Sequence, residues 1–161
     1  MRPGHPTERD EQAHRQTRDT ALRLLSRREH SRTELQRKLE ARDLRGAIVE
    51  DVLDTLEAED WLSDQRFTES FARSRVNAGH GPLRIARDLK SRGVAPAHID
   101  TALNIDESVW VNLAEAVRGK KFGTETPRSY QEWAKQARFL QARGFSGEQI
   151  RQVLADDPND D

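Results

Sequence analysis

Residues 89–94 read Leu89-Lys90-Ser91-Arg92-Gly93-Val94, and the same pattern stands about fifty residues to either side. Leu39-Glu40-Ala41-Arg42-Asp43-Leu44 precedes it by 50 positions, and Leu140-Gln141-Ala142-Arg143-Gly144-Phe145 follows it by 51. Positions further on keep step: Val49, Ile99 and Ile150, then Leu53, Leu103 and Leu154. An apolar residue, an Arg, a turn and a second apolar pair make one helix–turn–helix element, repeated three times. Periods of this length build arrays in which each unit buries its apolar face against its neighbours. The register predicts an all-α chain of three tandem three-helix repeats in an elongated, curved, monomeric array. Such an array presents an extended surface to a large partner and does not enclose a small substrate.

Composition agrees with thin cores. Of the 161 residues, 34% are hydrophobic and 34% charged, too little apolar material for a single thick core. No apolar run approaches the roughly 18 residues that span a bilayer, and the polar start carries no signal-peptide segment. The absence of cysteine excludes disulfides and thiolate ligands and, with no export signal, points to the cytoplasm. Alternation of apolar residues at period two is missing, so strands are not expected.

The expected layout is a disordered segment over 1–16, repeats over 17–60, 61–104 and 105–155, and an acidic tail over 156–161. Within it, Ser31 with Glu34 and Ser146 with Gln149 have capping-box spacing. Ser63 or Asp64 caps the next helix, the Gly79-His80-Gly81 turn ends it, and Pro82 and Pro96 suit first helical positions. Residues 119–127 read as an exposed loop. Trp61, Trp110 and Trp133 fall on apolar positions and are read as core. Few aromatics then remain to interleave with bases, which weighs against a stacking single-strand binder.

The net charge of −1 conceals blocks of opposite sign. Residues 46–64 hold seven acids and no Lys or Arg, and 96–116 hold four acids and no base. Residues 65–95 carry seven bases against two acids, and 117–155 carry eight against three. Alternating blocks balance one another across helix contacts; they also form a basic stripe suited to a polyanion. Arg66, Arg73, Arg84, Arg87, Lys90 and Arg92 lie in the middle repeat, opposed by Glu69 and Asp88, and are the candidate partner-binding residues. Arg84 and Arg87 are neighbours at i, i+3 while Ile85 and Leu89 point elsewhere, so these bases face solvent. Arg supplies 22 of the 27 bases, the residue suited to carboxylate and phosphate forks.

Signals for chemistry are poor. The five histidines are isolated, read as solvated turn residues, and no pair has metal-ligand spacing. No phosphate-binding glycine loop follows a strand, and no nucleophilic set stands out. The expectation is a protein that is not an enzyme, with no cofactor and no metal.

The string Ala21-Leu22-x-Leu24-Leu25-Ser26-x-Arg28, with Ser31 and Glu34-Leu35-x-x-Lys38-Leu39, resembles the start of RecX regulatory proteins. Leu62-Ser63-Asp64-x-Arg66-Phe67 through Gly81, Ile85 and Leu89-x-x-Arg92-Gly93-Val94 is similar to their middle. Phe139-Leu140-x-x-Arg143-Gly144-Phe145-Ser146 before Ile150 is similar to their end. The likeness runs in order over about residues 20 to 155, with Asp43 in place of a turn glycine and Thr68 where Ala is common. It implies tandem three-helix repeats that lodge in the groove of the RecA–DNA filament and modulate, usually inhibit, the RecA recombinase. It therefore implies a regulator of recombination, DNA repair and the SOS response, with RecA filaments and single- or double-stranded DNA as partners, the latter weak alone. Two other readings of the same residues are a helix-turn-helix DNA-binding protein and an adaptor array that binds only protein. The near-neutral net charge disfavours the first.

Overall fold

A computed structural model of the chain describes residues 4–44 and 46–155. Among the described residues there are nine helices and no strands: α1 Glu8–Arg27, α2 Arg32–Glu40, α3 Ala47–Ala58, α4 Asp64–Asn77, α5 Pro82–Ser91, α6 Pro96–Leu103, α7 Glu107–Phe122, α8 Tyr130–Ala142 and α9 Gly147–Leu154. They fall in three groups of three, as the register requires. None of them is long and apolar enough to cross a membrane.

The chain divides into two compact units. The first holds α1–α3, α4 as far as Ser70, and the turn Arg92–Val94; the second holds the rest of α4 and of the chain. In the first, α1, α2 and α3 pack together around Ala21, Leu35, Leu39, Val52, Leu53 and Leu56, all fully buried. In the second, α7, α8 and α9 pack together around Ala114, Leu140, Phe145, Ile150 and Leu154. Leu39, Leu89 and Leu140 each have 0% exposure, so the three motif leucines are equivalent core positions. Burying each contributes about 1.5–3 kcal/mol.

The structure explains why Arg-Gly recurs after these leucines. The turn that ends one repeat's second helix docks on the start of the preceding repeat's second helix. In the first unit Ser31 Oγ accepts from the Glu34 amide (3.1 Å) and donates to the Arg92 carbonyl (2.8 Å). In the second unit the Gly81 and Leu83 amides donate to the carbonyls of Arg143 (2.8 Å) and Gly144 (3.0 Å). These bonds satisfy helix-terminal groups that would otherwise lack partners. Ser31 and Gly81 are equivalent, each eight positions before its leucine.

Close approach makes glycine necessary in two of the turns. Gly144 has φ +100°, and a Cβ there would overlap the backbone of Arg84; Gly93 has φ +74°, and a Cβ would overlap Thr33. Asp43 adopts the same left-handed turn, with φ +62°, a region that Asp tolerates better than most residues. It is exposed, so its side chain has the room that Thr33 and Arg84 deny the other two. The departure from the turn glycine is thus accommodated. Thr68, the other departure, is buried and donates from Oγ1 to the Asp64 carbonyl at 2.6 Å.

Several expectations need correction. α1 begins at Glu8, well inside the stretch expected to be disordered, because Thr7 and Asp10 form a capping box and Glu8, Asp10 and Glu11 face the positive helix end. At Ser31 only half of the expected capping box forms: Glu34 turns away from the cap to fork Arg28 at 2.9 and 3.1 Å. The box at Ser146 and Gln149 is complete. α7 runs on through Gly119 to Phe122, so the loop starts at Gly123, and Pro127 within it is buried. Trp110 is core at 2% exposure, but Trp61 is 56% exposed. The acidic stretch 156–161 lies outside the described residues.

His30 is no solvated turn residue. It is 1% exposed, with Nδ1 3.0 Å from the Arg28 carbonyl and Nε2 3.0 Å from Lys38 Nζ. Burial, and then the neighbouring cations, hold its pKa below the ordinary 6.5. A base whose folded pKa is depressed binds a proton less readily folded than unfolded, so lowering the pH favours unfolding. The expected result is a melting temperature that falls as pH drops below about 6.5, with a shallower fall in His30→Gln. Equal slopes for the two proteins between pH 7.5 and 5.5 would remove His30 from the account.

Candidate functional site

The six bases picked out in the sequence separate between the two units. Arg66 and Arg92 belong to the first and are engaged there. Arg66 pairs with Glu29 at 2.9 Å and Asp60 at 3.1 Å, and the Glu29 hydrogen bond is the main cause of its raised pKa. Arg92 Nε lies 3.8 Å from Glu34, while its carbonyl takes the Ser31 hydroxyl. Arg66 thus ties α4 to the α1–α2 and α3–α4 connections, and Arg92 ties its turn to α2. Partners must compete for them with carboxylates already in place.

The same unit carries an acidic face. Glu50, Asp54 and Glu57 stand at i, i+4, i+7 on α3 and meet a single base, Arg32, at 3.1, 2.7 and 3.1 Å. Those hydrogen bonds outweigh partial burial and raise the Arg32 pKa. Three carboxylates on one guanidinium leave local negative charge on an exposed helix face.

Arg73, Arg84, Arg87 and Lys90 belong to the second unit. Ile85 and Leu89 turn α5 inward with no exposure. That places Arg87 and Lys90 in solvent, as is Arg73 on α4, with Arg84 half-buried. The docked turn at Arg143 and Gly144 holds the α5 start, so this basic face is fixed to α8 by backbone bonds.

Sequence reasoning missed further bases beside them. Lys120, Lys121 and Arg143 line a cleft of about 460 Å³ with Leu113, Val117 and Phe139, and no carboxylate is among its described lining residues. Arg143 bonds the Ala78 carbonyl at 3.2 Å and lies over the Phe139 ring at 5.4 Å; Lys121 lies over the same ring at 5.8 Å. Arg75 stacks on Phe71 at 4.7 Å. His80 senses this field: burial first, then Arg84, Arg75 and Arg143, lower its pKa. The lysines were missed because their segment reads as loop, whereas α7 carries them on its last turn, where cations suit the helix C-terminus. Among the described residues no group of three or more His, Asp or Glu is placed to hold a metal ion.

Known proteins share this architecture. The profiles of the first, second and third three-helix domains of RecX match residues 18–56, 63–103 and 111–154. The Regulatory protein RecX of Halorhodospira halophila is 47% identical over 144 residues, 89% of each chain. That of Pseudomonas entomophila is 44% identical over 138 residues, covering 86% of this chain and 89% of the relative. The crystal structure of RecX from Lactobacillus salivarius superposes with a TM-score of 0.77 at 21% identity, over 89% of this chain and 96% of that one. Domain models in order and close relatives over most of the length agree: the chain belongs to the RecX family of regulatory proteins.

Proposed function

We propose that this protein binds the RecA–DNA filament and inhibits RecA's recombinase and ATPase activities, so regulating homologous recombination, DNA repair and the SOS response. It acts in the cytoplasm as a monomer, by binding alone, without catalysis, cofactor or metal. The observation that carries the reading is that each unit exposes a face of one sign, basic on the second and acidic on the first. The second exposes Arg73, Arg87 and Lys90 and a lysine cleft with no carboxylate among its described lining residues, while the first exposes the α3 acidic row. A filament of protein wound on DNA offers both kinds of complement, a polyanion and basic protein surface. DNA alone complements only one, which accords with weak binding to naked strands. The helix-turn-helix alternative fares worse, because such a module reads bases with the second helix of the pair, and α3 and α6, which hold that place in the first two repeats, carry no Lys or Arg.

Co-sedimentation with RecA on single-stranded DNA, alongside the filament's ATPase rate, tests the reading. The parent is expected to pellet with filaments and slow the ATPase. Arg84→Glu, Arg87→Glu and Lys90→Glu combined should weaken binding and flatten its salt dependence, each lost phosphate contact lowering the salt slope by about one. A triple variant that binds and inhibits like the parent at low and high salt would make this face mere solvation. Failure of the parent to pellet with filaments would sink the reading itself.

A further inference from the structure

A second concavity of the second unit lies on the other side of α8 from the lysine cleft. It measures about 580 Å³, with Ala134, Ala137, Phe145 and Ile150 among its lining residues. Tyr130 and Trp133 also line it. They stand three residues apart on α8 with ring centroids 6.3 Å apart and planes only 17° from parallel. Trp133 is half-buried, and its Nε1 donates to the Ala155 carbonyl at 3.4 Å, which orients the indole. Tyr130 is 48% exposed, and Leu83, also facing the groove, is 59% exposed. The charged residues lining it are Arg138 and Arg151, and no carboxylate is among the described lining residues.

The groove connects with the basic face. Leu83, Arg87 and Lys90 stand at i, i+4, i+7 on α5, one stripe of that helix. A strand leaving the groove past Leu83 therefore meets Arg87 and then Lys90.

We propose that this groove binds single-stranded nucleic acid, with bases stacked on the Tyr130–Trp133 pair and phosphates held by Arg138 and Arg151. Parallel aromatic rings with an accessible face give any base a π-surface to stack on, independent of sequence. Guanidinium groups beside them meet the backbone. A duplex cannot use the platform, because its bases are already stacked on one another. An uncharged apolar peptide would cover Tyr130 and Leu83 but leave both arginines without counter-charge. This site departs from the reading of Trp133 as core, which left few aromatics to interleave with the bases. The inference goes beyond filament binding, and its test contains no RecA, so the two can fail separately.

The test is fluorescence anisotropy of the full chain with a labelled oligo(dT) of about 12 nucleotides, an abasic strand of equal length and a duplex. The parent is expected to prefer oligo(dT) over both. Tyr130→Ala should weaken oligo(dT) binding on the order of 5- to 100-fold and leave abasic binding unchanged, while Tyr130→Phe binds like the parent. Arg138→Glu with Arg151→Glu should weaken both single strands. Tyr130 is exposed, so these variants should keep the parent's circular dichroism. Equal affinity of the parent for abasic strand and oligo(dT), no affinity for either, or indifference to Tyr130→Ala overturns the proposal. So does a Leu- and Asp-rich peptide that binds more tightly than oligo(dT) and loses affinity in Tyr130→Ala, since the groove would then be a protein site.

Discussion

Leu140→Ala is expected to lower the stability of the fold by about 2–5 kcal/mol, and Leu39→Ala and Leu89→Ala by similar amounts. All three leucines have no exposed surface, so each substitution removes buried methyl groups and leaves a cavity that rigid neighbours fill only in part. At Leu140 the neighbours are Ala114, Phe145, Ile150 and Leu154. At Leu39 they include Leu35, Val52 and Leu53. Thin cores have few other contacts to share the loss, so the upper half of the range is expected. Urea unfolding read by circular dichroism checks it, with the midpoint falling and the slope unchanged. Wild-type midpoints for the three variants would mean the repeat register is wrong.

Gly144→Ala is the second substitution expected to have a large effect, although it adds only one methyl group. Two costs combine. A non-glycine residue at φ +100° is strained by about 1–2 kcal/mol. The added Cβ also overlaps the Arg84 backbone, and overpacking of this kind costs roughly 1–3 kcal/mol. The chain can relieve the overlap only by lifting the turn off the α5 start, which breaks the bonds from Gly81 and Leu83 to the Arg143 and Gly144 carbonyls. Asp43→Gly, at the equivalent but open turn, is the control. It removes mild left-handed strain and is expected to change stability by less than about 1 kcal/mol. Urea midpoints that rank Asp43→Gly near the parent and Gly144→Ala far below it would support the docking role of the turn. Similar midpoints for both would refute it.

Much of this chain is legible in its residues because its signals are local and repeated. The leucines at 39, 89 and 140, the prolines at 82 and 96 and the Ser146–Gln149 box depend on spacing along one helix, and spacing is what a sequence records. The identity of the core and the all-α class follow from that. Only the tertiary structure decided which charges are free to act. Arg66 and Arg87 look alike in the sequence, yet one faces Glu29 from far along the chain and the other faces water. Lys120 and Lys121 gain their place beside Arg143 only when α7 extends to Phe122 and packs against α8. Tyr130 becomes a platform, and Trp61 an exposed ring, for the same reason. Pairing and exposure depend on what other helices bring from dozens of residues away, and no periodicity encodes that. Helical period places a side chain on a face; only packing determines what that face meets.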